Sequence, residues 1–354
     1  MTGLETRGAS VVFGRGRRTV RNSAFSAIVN TRVGGTVAVS AVVCAVALVV
    51  ALCSGALPLA PTEVWSALLG HATPFTTKVV VEWRLPRAVA AIVFGAAAAL
   101  TGALVQSLTR NPLGSPDVIG LNAGAYTGAL VGITAFGGAV LAVTTGAFIG
   151  GIATALLVWG LSAGRGRTGD AFVIVGVGIA SALTAVNSII VLRATTAVAT
   201  RATVWGQGSL DEVRWPQLTA ICAVLIVLAP FVVVAASSVR SFELGDDLAS
   251  GLGVRIGVAR GTMLTVAVLI TAAVTSVAGP IMFLALVSPH LARFVTRSAG
   301  TTLVGSAAVG AALLSVSDLV AQYALPEPVP VGVVTVVAGG GYFIVLLVQR
   351  LKKG

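Results

Sequence analysis

Charged residues are scarce in this chain. Asp, Glu, Lys and Arg together make up 10% of its 354 residues, whereas a soluble globular domain carries about 25%. The mean hydropathy is +0.99. A water-soluble domain is excluded, because its surface would need far more charged side chains than the chain contains. The composition indicates a helical protein that crosses a lipid bilayer many times.

Histidine and cysteine are rarer still, with 2 and 3 residues respectively. His71 and His290 lie far apart, and Cys44, Cys53 and Cys222 follow neither a metal-ligand nor a disulfide spacing. We therefore expect no metal site and interpret the cysteines as small apolar side chains. An intramembrane hydrolase is disfavoured as well, because the sequence has neither an H-E-x-x-H motif nor a recognisable serine–histidine arrangement.

A phosphate-binding loop is also missing. The motif G-x-x-x-x-G-K-[ST] does not occur, nor does any Gly-Lys pair, so we expect a chain that is not an enzyme and leaves ATP hydrolysis to another subunit. The net charge of +11 does not indicate nucleic-acid binding, because six basic residues fall in residues 1–35 and the others lie at the ends of apolar tracts. That distribution is typical of membrane topology.

Charge-free tracts mark the candidate spans, because a charge at the bilayer centre is costly. Two tracts are predicted to hold two crossings each, since 118–164 contains the turn Phe136-Gly137-Gly138 and 261–292 is interrupted at Gly279-Pro280. Counting both twice predicts ten transmembrane helices. The tracts are 33–62, 88–109, 118–164, 171–192, 215–239, 261–292, 298–317 and 328–349.

The basic residues decide whether 261–292 crosses once or twice. With two crossings, 17 of the 23 Lys and Arg residues lie on the cytoplasmic side and 6 lie outside. With one crossing the balance becomes 12 against 11. The positive-inside rule favours the first arrangement. We thus expect an all-α polytopic membrane protein with ten transmembrane helices and both termini in the cytoplasm.

Two regions follow from this topology. Residues 1–35 form a basic cytoplasmic segment that we expect to be flexible, and 36–354 form the ten-helix domain. The longest cytoplasmic link, at about 240–258, has Leu244, Leu248 and Leu252 at i, i+4 and i+8. This spacing predicts one or two short amphipathic helices at the membrane surface, which either rest on lipid headgroups or dock a soluble partner.

Four separated motifs occur in the order found in permease subunits of ATP-driven importers for iron-siderophores and vitamin B12. They are Arg84-Leu85-Pro86-Arg87 through Gly120, Glu243 to Val254, Ala278-Gly279-Pro280-Ile281 through Arg293, and Pro330 to Thr335. The resemblance covers nearly everything after residue 35. The run from Glu82 to Asp117, with Asp318 to Gln322 and Gly339-Gly340, looks most like the G-type permease subunits of ferric enterobactin importers.

The resemblance implies a vitamin B12 importer-like permease fold in the bacterial cytoplasmic (inner) membrane. It implies a second permease subunit, expected to be a distinct chain, around a shared pathway. Two copies of a cytoplasmic ABC ATPase would bind ATP and Mg, and an extracytoplasmic lipoprotein would deliver a ferric siderophore. Cobalamin or haem as cargo and a homodimer stay open. A secondary transporter or channel is disfavoured, because the spans are nearly free of ionisable residues.

Two arginines are candidates for docking the binding protein. The span count places Arg84 and Arg87 at the outer start of the second helix, and in similar permeases the matching arginines receive acidic residues of the binding protein. The alternative is a structural role around Pro86. A further docking arginine of some relatives is Gln322 here, and we expect Asp318 to make a structural hydrogen bond.

The cytoplasmic ends carry the remaining candidates. Asn111 and Leu113 match positions that close the pathway in similar permeases, although Asn-Pro also forms plain turns. The loop with Arg165, Gly166, Arg167 and Thr168 is expected to form the opposing part of the gate. The coupling element to the ATPase is expected to comprise Glu243, Leu244, Gly245, Asp246, Asp247, Leu248, Gly251, Leu252 and Gly253, with Gly251 and Gly253 permitting its turn.

Overall fold

Apolar tracts of this chain fold as helices, because a helix satisfies its own backbone hydrogen bonds where no water is present. The computed structural model describes residues 17–22, 25–162, 169–298 and 300–351. The helices, in chain order, are α1 Thr31–Cys53, α2 Pro61–Leu68, α3 Pro74–Thr77, α4 Leu85–Thr109, α5 Leu121–Ala135, α6 Val140–Ser162, α7 Gly169–Arg193, α8 Thr196–Gly206, α9 Trp215–Glu243, α10 Asp246–Gly251, α11 Ile256–Ala278, α12 Leu284–Thr296, α13 Leu303–Leu319 and α14 Val331–Leu351.

Three short stretches have other helical geometry. Lys78–Arg84 is π-helical and joins α3 to α4, Val320–Ala324 is π-helical and extends α13, and Pro116–Ile119 is a 3₁₀ turn before α5. Before α1, the strands β1 Arg17–Asn22 and β2 Phe25–Asn30 pair antiparallel, with Arg17 opposite Asn30. The basic segment expected at 1–35 therefore contains a hairpin and the first residues of α1.

Seven helical stretches among the described residues are long and apolar enough to cross a membrane. Each of them overlaps one of the charge-free tracts found in the sequence, and each contains at most two charged residues in its most apolar part. The protein is a multi-pass, all-helical membrane protein. The stretches are Thr31–Cys53, Pro74–Thr109, Val140–Ser162, Ile174–Arg193, Trp215–Glu243, Ile256–Ala278 and Leu303–Ala324.

The two long tracts divide where the sequence predicts. In 118–164, α5 ends at Ala135 and α6 begins at Val140, with Gly137 and Gly138 at φ of 65° and 73°. Such left-handed backbone favours glycine, which has no Cβ to clash. In 261–292, α11 ends at Ala278 and α12 begins at Leu284. Both second segments are short, since α5 has 15 residues and α12 has 13.

The first tract ends earlier than the sequence predicts. Charge-free residues continue to 62, but α1 stops at Cys53, and 54–60 is a loop before α2. Gly55 adopts φ of 133° there, and the loop packs against the Arg84 side chain. The charge-free tract shows which residues can lie in lipid, but it does not show where the helix ends. Here the helix ends at the turn that contains Gly55.

Close backbone contact holds α5 against α6. Gly124, Gly128 and Gly132 follow one another at four-residue spacing, and they face Gly150, Gly146 and Ala142 of α6 in that order. A Cβ added at Gly128 would lie 1.9 Å from the carbonyl oxygen of Gly146. Helices in lipid gain stability from such packing, because no hydrophobic transfer drives them together.

The central helix of the bundle is α4, which packs against α9, α11, α12 and α13. Phe94 and Leu104 of α4 are completely buried, as are Met263 of α11 and Leu314 of α13. At Gly102, an added Cβ would fall 1.7 Å from the carbonyl oxygen of Ala285 in α12. This helix connects the two faces of the membrane, where the candidate residues lie.

Candidate functional site

The N-terminal end of α4 is tied to the C-terminal end of α13 by a buried ion pair. Arg87 donates from Nη2 to Asp318 Oδ1 at 2.8 Å and from Nε to both carboxylate oxygens at 3.2 Å. The Asp318 side chain is 3% exposed. Gln322, one helical turn later, donates to Asp318 Oδ2 at 2.7 Å. The structural hydrogen bond expected for Asp318 is thus present, and Arg87 is its main donor.

Arg87 has a second acidic partner that faces solvent. Its Nη1 pairs with Oδ1 of Asp211, which lies between α8 and α9 and is 57% exposed. The backbone carbonyl of Asp211 accepts from Arg214 at 2.7 Å. Together these side chains border a cavity of about 150 Å³ that also touches Trp83 and Tyr323. The cavity opens at the end of the bundle where the sequence analysis expects docking.

Arg84 is used differently from Arg87. Its Nη1 and Nη2 donate to the carbonyl oxygens of Leu52 at 2.7 Å and Leu57 at 2.6 Å. The first of these is an otherwise unpaired carbonyl at the end of α1, where helices lack internal donors. Arg84 therefore fixes the loop after α1, which is the structural alternative that the sequence left open. It remains half-buried beside the exposed Trp83.

The C-terminal end of α4 carries a second ion-pair cluster. Asp246, the first residue of α10, accepts from Arg110 Nη2 at 3.1 Å and from Arg260 Nη2 at 3.0 Å. Arg110 follows α4 directly and adopts φ of 51°. Arg260 lies in α11, with its guanidinium 5.8 Å from the centre of the Phe242 ring. One carboxylate thus links the segment after α4 to the short helix α10 and to α11.

Asn111 and Leu113 form a tight exposed turn beside this cluster. Asn111 Oδ1 accepts from the backbone N–H of Leu113 at 2.9 Å, and the Asn111 carbonyl accepts from Gly114. Leu113 is 53% exposed. This is the turn geometry expected of Asn-Pro, at an exposed position. Arg165, Gly166, Arg167 and Thr168, the expected opposing part of the gate, lie outside the described residues.

The predicted coupling element contains one short helix, the smaller of the two numbers that the sequence allows. The span α9 continues to Glu243, then α10 covers Asp246–Gly251, and α11 begins at Ile256. Gly245 and Gly253 take φ of 104° and 83°, so the two turns lie at these glycines. Gly251 is the last residue of α10, which corrects its predicted role in the turn.

The leucines of the coupling element are exposed. Leu244, Leu248 and Leu252 are 57%, 61% and 67% exposed, while Ala249 on the opposite face is buried. Asp247, which directly precedes Leu248, is exposed as well and belongs to the same surface as Leu244. Glu243 does not share it, because its Oε1 accepts from the backbone N–H of Thr301 at 2.7 Å. The element therefore presents an apolar row that the described part of the chain leaves uncovered.

A buried polar cluster at Asp117 was not found from the sequence. Asn122 donates to Asp117 Oδ1 at 2.7 Å, and Thr275 of α11 donates to Asn122 at 3.4 Å. Asp117 shares a small cavity with Ala98 and Thr101 of α4. These residues lie about 12–16 Å from the inner end of α4 at 1.5 Å per residue. The chain after α4 therefore turns back into the bundle, and α5 starts inside it.

The Asp117 cluster borders a larger cavity of about 660 Å³ between α5 and α7. Asn187 of α7 is 3% exposed and donates to the Ala123 carbonyl at 3.2 Å. Its Oδ1 has no hydrogen-bond partner among the described residues. The sequence held one signal of this arrangement, since Pro112, Gly114 and Pro116 prevent α4 from continuing. Nothing in it indicated that the chain would re-enter the bundle.

No group of three or more His, Cys, Asp or Glu side chains suited to a metal ion occurs within the described ranges. His290 instead makes a close contact with the Tyr342 hydroxyl through Nδ1. The expectation of no resident metal is therefore still a prediction for the complete chain.

Comparison with known proteins gives one consistent assignment. A family model described as the FecCD transport family matches residues 43–349. The ferric enterobactin transport system permease protein FepG of Escherichia coli K12 is 43% identical over 311 residues, which cover 88% of this chain and 94% of FepG. The iron(3+)-hydroxamate import system permease protein FhuG of Bacillus subtilis 168 is 32% identical, with coverage of 88% and 96%.

A cobalamin relative and a solved structure extend the comparison. The cobalamin import system permease protein BtuC of Halobacterium salinarum is 34% identical, over 84% of this chain and 81% of that protein. A transporter assigned to the metal-chelate type of ABC transporters, solved in an inward-facing conformation, matches with a TM-score of 0.78 and 22% identity. That match covers 89% of this chain and 99% of the other, and it supports the fold alone.

Proposed function

The chain belongs to the FecCD transport family, and on that premise we propose that it is a permease subunit of an ATP-driven importer for a ferric siderophore. The observation that carries this proposal is the 43% identity to the ferric enterobactin permease over nearly the full length of both chains. The chain would pass the cargo from a binding lipoprotein through the cytoplasmic membrane. It would perform no chemistry, since ATP and Mg would be bound by the partner ATPase.

The proposed topology has ten crossings with both termini in the cytoplasm. Seven stretches meet the length and composition of a span. The other three crossings would be α5, α12 and α14. The first two are short because each follows a segment without α-helix, at 110–120 and 279–283, part of which lies inside the bundle. The 17-to-6 distribution of basic residues supports this orientation.

We place the second permease subunit and the pathway on the α7 side. Only 11% of the apolar window of α7 is buried, although α7 lies next to a large cavity with Asp117, Asn122 and Asn187. A pathway benefits from small and polar surfaces that bind its cargo weakly, because a tight site would retain it. A distinct partner chain, forming a heterodimer, is the arrangement that the enterobactin-type resemblance favours.

The coupling element would dock into the ATPase through Leu244, Leu248 and Leu252. Support comes from their exposure and from Asp246, which joins the element to Arg110 and Arg260. Movement of α10 would be transmitted to Arg110 through its ion pair with Asp246. Arg110 directly precedes Asn111, so the movement would reach the exposed turn at Asn111 and Leu113. That turn would form the cytoplasmic gate together with the loop at 165–168.

The binding lipoprotein would dock at the rim with Arg84 and Arg87. Arg87 keeps Asp318 as a buried partner, while its other partner, Asp211, is exposed. An acidic side chain of the binding protein could replace Asp211 without breaking the buried pair. Arg84 would act mainly by fixing the loop after α1, and its charge would add to the attraction.

Reconstituted uptake tests the proposed function. The chain would be purified with its partner permease and ATPase and placed in liposomes with the binding protein. We expect ATP-dependent entry of radiolabelled ferric enterobactin or a related catecholate chelate. Ferric hydroxamates and cyanocobalamin serve as the comparison cargoes. Uptake of cyanocobalamin in preference to every ferric chelate would overturn the siderophore assignment.

A further inference from the structure

A long groove lies on an exposed side of the bundle, between α1, the end of α12 and α13. Its volume is about 670 Å³, and its walls are mainly apolar. Val39 of α1, Val295 of α12 and Val316 of α13 are 65%, 55% and 43% exposed along it. The groove is separate from the α7 side, where the pathway is proposed, and from both candidate ion-pair clusters.

Two arginines lie at one end of this groove. Arg32 is the second residue of α1 and Arg297 directly follows α12, so both belong to the end that the proposed topology places in the cytoplasm. Both residues are exposed. Within the part of the chain that the structure describes, neither guanidinium forms an ion pair with an acidic side chain.

The length of the groove fits one leaflet of a bilayer. Along α1 its wall runs from Arg32 to Val43, which is about 16 Å at 1.5 Å per residue. The hydrocarbon core of a bilayer is about 30 Å thick, so each leaflet contributes about half of that. The apolar wall therefore extends from the headgroup level to about the bilayer centre.

We propose that the groove binds a phospholipid with an anionic headgroup from the cytoplasmic leaflet. Its phosphate would lie near Arg32 and Arg297, and an acyl chain would follow Val39, Val43 and Val316. Basic pockets between helices at the cytoplasmic surface attract anionic headgroups, and acyl chains need no hydrogen bonds. A polypeptide fits less well, because the apolar wall offers few partners for its backbone.

Lipid retention by the intact permease complex tests the arginines. The complex is delipidated in neutral detergent, incubated with phosphatidylglycerol or phosphatidylcholine, and measured by native mass spectrometry. We expect tight binding of phosphatidylglycerol to the wild type and at least about tenfold weaker binding to R32A/R297A. Arg240→Ala, at the cytoplasmic end of α9 and outside the groove, is the matched control and should bind as the wild type does.

A second variant tests the groove without changing charge. An added Cβ at Gly35 would meet no heavy atom within 4 Å, so Gly35→Leu should fold while reducing the space beside Arg32. We expect it to lose bound phosphatidylglycerol with its thermal midpoint unchanged.

Three results would overturn the proposal. One is equal retention of phosphatidylglycerol by R32A/R297A and R240A. Another is equal binding of phosphatidylcholine and phosphatidylglycerol to the wild type. The third is a disulfide crosslink between a cysteine at Val39 and one in residues 1–16 that forms in the delipidated and lipid-loaded protein alike, since the chain itself would then fill the groove. Each measures lipid and not cargo, so failure here leaves the transport proposal unaffected.

Discussion

Arg87 and Asp318 form a bidentate ion pair that joins the N-terminal end of α4 to the C-terminal end of α13. The side chains are 14% and 3% exposed, so the pair is largely removed from solvent. Each residue has one further partner: Gln322 also donates to Asp318, and Arg87 also donates to Asp211. The arginine that the sequence analysis assigns to docking thus also has a structural role, and the two roles make different predictions.

Removing the buried acid should destabilise the protein strongly. Asp318→Ala leaves Arg87 partly buried without its main partner, and breaking one side of such a pair costs about 3–5 kcal/mol. Unfolding of the purified protein in detergent, followed by intrinsic fluorescence, measures the loss. The double variant R87M/D318L should recover most of it, because apolar replacement removes both charges. A double variant as unstable as Asp318→Ala would contradict this account.

Removing the exposed acid should strengthen docking. Asp211→Ala takes away the solvent-facing partner of Arg87, and an exposed ion pair of this kind is worth about 0.2–1 kcal/mol. Affinity for the binding protein in nanodiscs should therefore rise by about 1.4- to 5-fold. Glu212→Ala is the matched control, because it removes the neighbouring exposed carboxylate, which pairs with no described arginine or lysine. The docking assignment for Arg87 fails if R84E/R87E binds the lipoprotein as well as the wild type does.

Asp246 should be needed for transport more than for assembly. Asp246→Asn weakens two partly exposed ion pairs, with Arg110 and Arg260, that link the coupling element to the segment after α4. We expect the ATPase to remain bound and the number of cargo molecules moved per ATP to fall by up to about tenfold. Asp247→Asn alters the adjacent exposed acid and is the control.

Charge exchange gives this prediction a sharper form. The double variant R110D/D246R restores an opposite-charge pair in reversed order, although Arg260 then faces a like charge. If R110D/D246R moves more cargo per ATP than Asp246→Arg alone, the result would support a direct link between Arg110 and Asp246. If Asp246→Asn and Asp247→Asn lower transport equally, the link between α10 and Arg110 has no special role.

Glycine at position 128 should be needed for full stability. An alanine Cβ there would lie 1.9 Å from the Gly146 carbonyl oxygen, so α5 and α6 must separate to accept it. We expect Gly128→Ala to lower the thermal midpoint by several degrees, through overpacking of about 1–3 kcal/mol. Gly160→Ala in α6 meets nothing within 4 Å and is the control. An unchanged midpoint for Gly128→Ala would show that this helix pair is less tightly packed than described.

The sequence predicts the helices better than it predicts their ends and partners. The turn at Phe136-Gly137-Gly138 and the break at Gly279-Pro280 follow from local chemistry, and both are confirmed. The end of α1 at Cys53 depends on a turn and on Arg84, which lies 31 positions later in the chain. Long-range contacts of this kind leave no periodic pattern in a single sequence.

The candidate sites show the same division. Asn111 and Leu113 lie in the turn that the sequence offered as the alternative to a gate, because Asn-Pro directs its own backbone. Their role as a gate stays a prediction. The position of Asp117 inside the bundle depends on the course of the whole segment 110–120, which a charge count places at the surface. The partners of Arg87 and Asp246 come from distant segments, so only their charge, and not their pairing, was visible in the sequence.

The glycine contacts between α5 and α6 restrict how the permease can change shape. Since the two backbones touch at Gly124, Gly128 and Gly146, neither helix can slide along the other without collision. Gating motions should therefore carry both as one rigid unit, hinged at its ends. By contrast, only 11% of the apolar stretch of the neighbouring α7 is buried. Relative displacement during the transport cycle should then concentrate at the boundary between this pair and α7, along the wall of the 660 Å³ cavity.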